Sequence, residues 1–359
     1  MLTVMITTGG TGGHVFPGLA VASKLAARGA NVFWLGTREG IEAKLVPQHG
    51  VEFEGLSFRG VRGKGLRTLL LGPYALLGAC LAARSIIKRR TPDVVLGLGG
   101  FASFPGGLMS TAASKPLVLH DSNAVAGLAT RVLAYGADRI LLGFPQALRG
   151  KHAKLVEWVG NPLRDAICAL PPPAQRFAGR TGPLRLLVVG GSLGAQALNE
   201  LVPAAIAQLD AARRPEIVHQ AGERHFAALR DAYARHGVVA ACVAFIDDMA
   251  ARYAWADFVI CRGGALTISE LAAVGLGAIV VPLPGAIADE QTANAQFLVD
   301  AGAALEEPQH TLTAQHLLEL VRDIDRPRAL AMANAAYAHG KRDAAARVAD
   351  VCVELGAPR

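Results

Sequence analysis

The sequence has few cysteines, few aromatic residues and little charge. Its 359 residues include five cysteines, 6% aromatic and 18% charged residues, but 52% hydrophobic residues and 40 glycines. The cysteines are odd in number, widely spaced and never arranged as Cys-x-x-Cys, which argues against a disulfide framework and a zinc site. We therefore expect a cytosolic α/β protein with reduced thiols and no bound metal.

The sequence also has little that could cross a bilayer. Residues 69–83 form an uncharged, largely apolar run of 15 residues, short of the roughly 20 that a spanning helix needs. Basic residues flank this run, with Arg59, Arg62, Lys64 and Arg67 before it and Arg84, Lys88, Arg89 and Arg90 after it. Such a helix suits the surface of an anionic membrane, and it equally suits a buried helix whose basic ends reach solvent. No basic segment precedes the first apolar residues, so we expect no signal peptide.

Positive charge is concentrated in the first half of the chain. The formal net charge is +7; residues 1–160 contain 18 Lys and Arg against 8 Asp and Glu, whereas the remainder contains 18 against 21. This asymmetry predicts an acidic partner for the first half, either nucleic acid or an anionic membrane. Nucleic-acid binding needs aromatic side chains among the basic ones, and only Phe58 and Tyr74 lie near. We therefore expect no nucleic-acid partner.

Short apolar runs alternate with helical patterns along the chain, as is typical of parallel sheets covered by helices on both faces. One series contains residues 2–6, 31–35, 92–97, 116–120 and 139–142, and a second contains 184–190, 216–219, 258–261 and 278–282. Because the chain exceeds the length at which one core keeps growing, we predict two doubly wound α/β domains. Their boundary is expected in or slightly before the Pro- and Gly-rich segment 171–183.

Four glycines and a histidine follow the first predicted strand. Residues 9–14 read Gly-Gly-Thr-Gly-Gly-His, and a helical pattern begins near Pro17 and stops at Gly29. A Walker phosphate loop is excluded because no lysine follows the glycines, and a dinucleotide fingerprint because Val15 stands where its third glycine belongs. His14 lies near a helix N-terminus, which favours a bound anion and a neutral imidazole. The segment indicates either a general base beside an anion or a tight turn with a capping histidine.

Two more Gly-rich turns follow predicted strands. Residues 97–107, together with residues 9–14, could bind a diphosphate through backbone amides. Residues 261–270 end a strand of the second series and open a helix, which suits a phosphate at the helix start and a ribose diol at Glu270. The alternative is a capping motif with Glu270 in solvent. Asp247 and Asp248 are interpreted as a turn and a helix cap rather than a metal site.

Seven motifs, in order along the chain, resemble one family of glycosyltransferases. They are Gly-Gly-Thr-Gly-Gly-His at 9–14, Gly-Gly-Phe-x-Ser-x-Pro-Gly-Gly at 99–107, Gly-Asn-Pro-Leu-Arg at 160–164, Gly-Gly-Ser-x-Gly-Ala at 190–195, Phe-Ile-Asp-Asp-Met at 245–249, Ala-Leu-Thr-Ile-Ser-Glu at 265–270 and Gln-x-x-Asn-Ala at 291–295. The resemblance covers essentially the whole chain and is to the MurG family of inverting UDP-N-acetylglucosamine transferases.

The resemblance implies a GT-B-type architecture of two Rossmann-like domains that face a central cleft. Residues 1–163 would form an acceptor- and membrane-binding domain, residues 164–338 a UDP-sugar-binding domain, and residues 339–359 a helix that packs back on the first. The implied reaction moves N-acetylglucosamine from UDP-N-acetylglucosamine to the 4-hydroxyl of undecaprenyl-diphospho-N-acetylmuramoyl-pentapeptide, in peptidoglycan synthesis. The implied enzyme uses no cofactor and is peripheral, at the cytoplasmic face of the plasma membrane.

The resemblance also implies roles for individual residues. His14 would be the base, Asn123 and Gln291 would lie near the transferred sugar, and Ile246 would meet uracil. Glu270 would hold the ribose hydroxyls. Thr11, Gly12 and Gly13 would lie near the donor and acceptor diphosphates. The other implied contacts of the donor are Arg164, Ser192, Ala265, Leu266, Thr267, Ile268 and Ser269, and those of the acceptor diphosphate are Gly99, Gly100, Ser103 and Gly106.

The chain departs from the family pattern at four places, which bear on single contacts and on acceptor preference. This chain has His120-Asp121-Ser122-Asn123 where the family usually has His-Glu-Gln-Asn, and Leu193 where the family has a polar residue. It also has Gly263 where a serine is common, and Glu290 where histidine or glutamine is frequent. Two other functions stay open. One is a nucleotide-sugar epimerase of the same architecture, active without a lipid acceptor. The other is a non-catalytic basic binding protein, which would tolerate loss of His14.

Overall fold

A computed structural model of the chain divides into two compact units. The first comprises Met1–Arg164 together with Arg342–Arg359, and the second comprises Asp165–Lys341. The structure describes residues 1–57, 66–100, 102–148, 155–191, 194–286 and 289–357. Ser192, Leu193 and the basic residues Arg59, Arg62 and Lys64 lie outside the described residues.

The first unit alternates strands and helices, as the apolar runs predict. Its strands are β1 Thr3–Thr7, β2 Asn31–Thr37, β3 Glu52–Leu56, β4 Val94–Gly97, β5 Leu117–Asp121, β6 Arg139–Leu142 and β7 Val156–Trp158. Its helices are α1 Gly12–Ala27, α2 Glu42–Gln48, α3 Leu66–Arg90, α4 Ser103–Ala112, α5 Leu128–Leu133 and, from the end of the chain, α15 Ala344–Gly356, with a 3-10 turn at Ala134–Gly136.

The described strands of the first unit form a parallel sheet in the order β3-β2-β1-β4-β5-β6-β7. Helices cover both faces, so neighbouring residues of one strand enter different cores. Val4 lies in a core with Val348 of α15, whereas Met5 lies in a core with Ile87 of α3. Because all the strands run the same way, the turns after β1, β4 and β5 meet at one edge of the sheet.

The second unit repeats this plan. Its strands are β8 Arg185–Val189, β9 Glu216–Gln220, β10 Ala241–Val243, β11 Phe258–Cys261, β12 Gly277–Val280 and β13 Ala304–Glu306. Its helices are α6 Asp165–Cys168, α7 Pro173–Phe177, α8 Gln196–Ala207, α9 Phe226–Arg235, α10 Met249–Trp255, α11 Ala265–Val274, α12 Glu290–Val299, α13 Ala314–Arg322 and α14 Arg326–Ala338, with 3-10 turns at Ala211–Arg213 and Glu223–His225.

A second parallel sheet, in the order β10-β9-β8-β11-β12-β13, organises this unit in the described part of the chain. Asp257, just before β11, is fully buried and pairs with Arg180 and Arg326. It also accepts from the Arg185 amide at 3.0 Å. A buried carboxylate needs such partners, and these hold the starts of the two central strands, β8 and β11, together.

The prediction of two doubly wound α/β folds is confirmed, but several local predictions are wrong or incomplete. Helix α1 begins at Gly12, not near Pro17. Pro17 therefore lies inside the helix, where it cannot donate to the Gly13 carbonyl. The strands β3, β7, β10 and β13 have no counterpart among the predicted runs. Strands β3, β7 and β13 each contain a glutamate, which interrupts the apolar pattern.

The apolar run 69–83 lies within α3, and the described helices include none long and apolar enough to cross a membrane. One face of α3 is buried, with Ala83 and Ile87 against the sheet. Another face exposes Tyr74, Leu77 and Leu81, with exposures of 75%, 58% and 59%. Helix α3 therefore has both a buried face and an exposed apolar stripe.

Candidate functional site

The two Gly-rich turns of the first unit touch each other beyond the ends of β1 and β4. Gly100 has a φ of +77°, and a side chain there would collide with the Gly9 carbonyl. Two threonines join the turns: Thr7 Oγ1 donates to the Ala102 carbonyl at 2.9 Å, and Thr8 Oγ1 donates to the Gly99 carbonyl at 2.8 Å. The predicted pair of loops at one edge of the sheet is therefore present.

His14 stands where these turns meet. Its Nδ1 is 3.2 Å from Thr11 Oγ1, and a Cβ atom on Gly99 would lie 3.1 Å from its Cδ2. Burial lowers the pKa of His14 below its ordinary value, and the charge of Asp121 opposes this shift. The ring is therefore neutral at pH 7, and when Nδ1 carries the proton and donates to Thr11, Nε2 is an acceptor. His14 lies in the first turn of α1, where its ring bonds the side chain of the N-cap residue Thr11.

The first backbone amides of α1 are free to bind an anion. The side chain of the N-cap residue Thr11 caps no backbone amide of the helix. The first amides of any helix lack an intrahelical acceptor. Those of Gly12 and Gly13 have no acceptor among the described residues. Helix α1 has 16 residues, and its free first amides and its dipole can bind an anion next to the neutral His14 imidazole.

Ser103 and Gly106, the other predicted contacts of this loop, are buried. Ser103 is 1% exposed, and a Cβ atom on Gly97 would lie 2.9 Å from its Oγ. A Cβ atom on Gly106 would lie 2.5 Å from Thr7 Oγ1. Both residues therefore pack α4 against the strand ends, Ser103 against β4 and Gly106 against β1.

The end of β5 brings a carboxylate close to His14. Asp121 is 6% exposed and accepts from the amides of Asn123, at 3.2 Å, and Gly127, at 2.9 Å. It thereby fixes the turn that carries Asn123. His120, which is fully buried, donates through Nε2 to the Gly160 carbonyl at 3.0 Å, and burial lowers its pKa. The sequence marked Asp121 only as a departure from the family pattern. In the structure its carboxylate binds two backbone amides, and its charge opposes the lowering of the His14 pKa.

In the second unit, α11 begins directly after β11. Its N-cap Gly264 makes no side-chain cap, so Ala265, Leu266 and Thr267 occupy an uncapped first turn. A side chain at Gly263 would collide with the Gln291 carbonyl, which explains why glycine suits this chain at that departure from the family pattern. Gln291 also accepts, through Oε1, from the Leu283 amide at 2.9 Å. Gln291, on α12, thus contacts both the turn after β11 and the turn after β12.

Glu270 has a partner that sequence reasoning missed. The Tyr253 hydroxyl, on a side chain with 1% exposure, donates to Glu270 Oε2 at 2.9 Å. The alternative that Glu270 belongs to a capping motif is wrong, because Glu270 lies on the second turn of α11 and bonds a side chain from α10. Ile268 is buried and Ser269 follows it on the same helix.

Ile246 and Arg164 are the remaining predicted residues. Ile246 is 8% exposed and precedes Asp248, whose side chain caps α10 by accepting from the Ala251 amide at 2.9 Å. The prediction that Asp248 is a helix cap is confirmed. Arg164 belongs to the first unit, where its guanidinium lies 5.8 Å from the Phe16 ring centre. In the described part, no group of His, Cys, Asp and Glu could hold a metal ion.

Comparison with known families assigns both units. Residues 4–142 match the glycosyltransferase family 28 N-terminal domain, and residues 185–348 match the family 28 C-terminal domain. The chain belongs to glycosyltransferase family 28. This family 28 chain is therefore a glycosyltransferase with a GT-B-like fold of two parallel-sheet units.

Relatives of this family 28 chain match it from end to end. It is 53% identical to the UDP-N-acetylglucosamine--N-acetylmuramyl-(pentapeptide) pyrophosphoryl-undecaprenol N-acetylglucosamine transferase of Dechloromonas aromatica, over 98% of this chain and 99% of that protein. It is also 53% identical to the transferase of the same name from Aromatoleum aromaticum, over 100% of this chain and 99% of that protein.

Solved structures agree with this assignment. Acinetobacter baumannii MurG is 36% identical, with a TM-score of 0.87 over 99% of this chain and 100% of that chain. The UDP-GlcNAc 2-epimerase of Neisseria meningitidis has a TM-score of 0.68 over 99% of this chain and 100% of that chain, but only 11% identity. The likeness to the epimerase therefore concerns the fold alone, and it gives no support to the epimerase alternative.

The electrostatics of His14 lead to a testable prediction. Asp121→Asn removes the charge that opposes the shift caused by burial, so the pKa of His14 should fall further below 6.5. The asparagine oxygen can still accept from a turn amide. NMR titration of the His14 ring protons measures the shift.

Asp138→Asn is the matched control for this titration. Asp138 precedes β6 at the opposite edge of the same sheet, where it accepts from the Leu117 amide. Its replacement should leave the His14 titration unchanged. A His14 pKa that stays constant or rises in Asp121→Asn would contradict the electrostatic assignment.

Proposed function

We propose that this chain transfers N-acetylglucosamine from UDP-N-acetylglucosamine to the 4-hydroxyl of undecaprenyl-diphospho-N-acetylmuramoyl-pentapeptide, with inversion at the anomeric carbon. The names of the full-length relatives support the two substrates. The observation that carries the proposed chemistry is the His14 ring, which lies against Gly99 beside the uncapped amides of Gly12 and Gly13. This is the step of peptidoglycan synthesis that completes a lipid-linked disaccharide.

The acceptor half of the site belongs to the first unit. The diphosphate of the lipid binds the amides of Gly12 and Gly13, aided by the turn at Gly99 and Gly100. The 4-hydroxyl oxygen then attacks the anomeric carbon, and its proton passes to His14 Nε2. The bond from the anomeric carbon to the UDP oxygen breaks, and UDP leaves with the bonding electrons. Thr11 holds the Nδ1 proton, so that Nε2 faces the hydroxyl.

The donor half of the site belongs to the second unit. The diphosphate of UDP binds at the start of α11, at Ala265–Thr267, where helix amides and the dipole stabilise the charge of the leaving group. Glu270, oriented by Tyr253, accepts from the ribose hydroxyls, and Ile246 meets uracil through its backbone. Gln291 and Asn123 contact the transferred sugar. Arg164 and Ser192 add contacts to the donor diphosphate.

The decisive experiment is a transfer assay with labelled UDP-N-acetylglucosamine and a short-chain lipid acceptor. The wild-type protein should transfer the label, and His14→Ala should lower kcat by roughly 10²–10⁴-fold, the usual contribution of a positioned general base. UDP affinity should not change, because the nucleotide binds the second unit. Since His14 must be neutral to accept the proton, wild-type activity should fall only as the pH drops below 6.5, through its lowered pKa.

His49→Ala is the control, because His49 is an exposed histidine of the same unit. It should keep full activity. If the wild-type protein transfers no sugar under any condition, the proposed reaction is wrong. If His14→Ala folds and keeps near-normal turnover, the base is another group, and a failure of both arms would favour a non-catalytic binding protein.

The Tyr253–Glu270 hydrogen bond generates a prediction about the donor. Tyr253→Phe removes the donor that orients Glu270, so UDP affinity measured by calorimetry should fall by about 0.5–1.5 kcal/mol, the net worth of one hydrogen bond. Tyr233→Phe is the matched control. Its hydroxyl is also buried in the second unit, where it bonds His219 at 2.9 Å. Equal UDP affinities of the two variants would remove Tyr253 from the donor site.

The membrane is the proposed location of the lipid acceptor, at the cytoplasmic face of the plasma membrane. The exposed stripe of α3, at Tyr74, Leu77 and Leu81, supports this proposal. Arg84 and Lys88 continue along α3 and line, with Lys115, a cavity of about 340 Å³ next to α4. A basic cavity beside an apolar stripe suits an anionic bilayer surface.

Not every basic residue of α3 is available to lipid. Arg89 donates to Glu54 at 2.9 Å, and Arg90 pairs with Glu52 and lies 4.7 Å from the Phe33 ring centre. These two arginines attach α3 to β3 and β2. Their replacement would therefore disturb the fold as well as any membrane contact.

Binding to anionic vesicles tests the membrane proposal. The triple variant Arg84→Ser, Lys88→Ser and Lys115→Ser should lose about 1 kcal/mol of binding free energy per charge, and the loss should shrink in high salt. The control variant removes the same number of charges from the second unit, at Arg224, Arg230 and Arg235, and should bind as the wild type does. Vesicle binding that ignores both the first triple variant and salt would overturn the proposal.

A further inference from the structure

A carboxylate lies buried behind the first Gly-rich turn, and the proposed chemistry does not use it. Glu42, the first residue of α2, is fully buried. Its Oε1 accepts from the Thr37 amide at 2.9 Å and from Thr37 Oγ1 at 2.6 Å. Its Oε2 accepts from the Gly10 amide at 3.3 Å, across 32 residues of sequence. The carboxylate thus joins the turn after β1 to the end of β2.

Three glycines surround this carboxylate and leave it just enough room. Side chains at Gly9 and Gly40 would collide with its carboxylate oxygens, and a Cβ atom on Gly36 would lie 2.7 Å from its Cγ. The three glycines come from the end of β2, the turn before α2 and the turn before α1. The backbone has therefore packed around the Glu42 side chain, and none of its contacts among the described residues involves the anion-binding amides.

The contacts continue from this carboxylate to the histidine. The Gly9 carbonyl, one residue before the amide that Glu42 binds, lies against Gly100. The neighbouring Gly99 lies against the His14 ring. Gly10 itself has a φ of +111°. A glycine can adopt many other backbone conformations, so a turn that nothing restrained could leave this one. One hydrogen bond at Gly10 therefore constrains both turns and the place of His14.

We propose that Glu42 is a positioning residue for the acceptor site. By drawing the Gly10 amide inward, it sets the backbone so that the next amides, at Gly12 and Gly13, face the acceptor diphosphate and His14 faces the hydroxyl. Glu42 touches no substrate and acts through the turn. This inference rests on the proposed function for the identity of the acceptor, but the hydrogen bond itself can be tested without turnover.

The chemistry of the site requires a group that only accepts hydrogen bonds. Three donors point at the two oxygens of Glu42, and an ionised carboxylate has no proton to place against them. Glutamine has the same size but carries an NH₂ group, which must face either Gly10 or Thr37. A buried donor facing another donor leaves both unsatisfied. Thr37 offers two donors and Gly10 one, so the glutamine oxygen should face Thr37 and its NH₂ group should face Gly10. Glu42→Gln should therefore release the Gly10 amide without opening a cavity.

The experiment compares Glu42→Gln with Val46→Ala. Val46 is fully buried on the same helix, so its truncation destabilises α2 but leaves the carboxylate in place. Hydrogen exchange of the Gly10 amide should be faster in Glu42→Gln and unchanged in Val46→Ala. In the transfer assay, Glu42→Gln should lower kcat/KM for the lipid acceptor by roughly 10–100-fold, as a misplaced reacting group does, with UDP affinity unchanged. Val46→Ala should retain acceptor kinetics at a temperature where it is folded.

The outcomes separate this inference from the proposed function. If the wild-type protein transfers no sugar, the proposed function fails, whereas Gly10 exchange still reports on the turn. If Glu42→Gln matches Val46→Ala in both exchange and acceptor kinetics, Glu42 is merely structural and the inference is overturned. If Glu42→Gln does not fold, Glu42→Asp decides. Its carboxylate is shorter by one methylene, so it should weaken acceptor kinetics and speed Gly10 exchange, and wild-type values of both would refute the inference.

Discussion

The Gly9 carbonyl oxygen occupies the space in which a side chain on residue 100 would have to stand. This contact is a consequence of parallel strands, because β1 and β4 are neighbours and their following turns leave the sheet at the same edge. Only a backbone without side chains lets the two turns approach so closely. The location of His14 against Gly99, and the open amides at the start of α1, both depend on that approach.

Buried carboxylates hold this backbone, and each is satisfied by amides or by arginines. Asp121 binds the amides of the turn after β5, and Glu42 binds the turn after β1. Asp257 does the same for the starts of β8 and β11, away from the ligand side of the second sheet. The donors to Glu42 and to Asp257 come from separate segments, so these two carboxylates fix how those segments meet. The donors to Asp121 both lie in the turn that follows it, so Asp121 fixes that turn.

The second unit reaches a similar geometry with different contacts. The Gln291 carbonyl excludes a side chain at Gly263, as the Gly9 carbonyl does at Gly100. Glu270 is held by a tyrosine hydroxyl rather than by backbone amides. A carboxylate has several acceptor positions on its two oxygens, so it can accept from a tyrosine and from a ligand hydroxyl. This difference fits the proposed division of labour, in which the first unit holds a base and a diphosphate and the second holds a nucleotide.

The sequence by itself determined the two α/β units, the Gly-rich turns and His14 at a helix start, because these features follow from apolar periodicity and local backbone freedom. It also determined the family, through motifs that are contiguous in the chain. Only the tertiary structure decided which side chains support these motifs: Glu42 for Gly10, Tyr253 for Glu270, and Asp121 for His14. Each supporting residue is distant in sequence from the group it acts on, and strand order, rather than any local pattern, brings the pairs together. A buried hydrogen bond between distant residues has no periodicity, so nothing in the sequence could have revealed it.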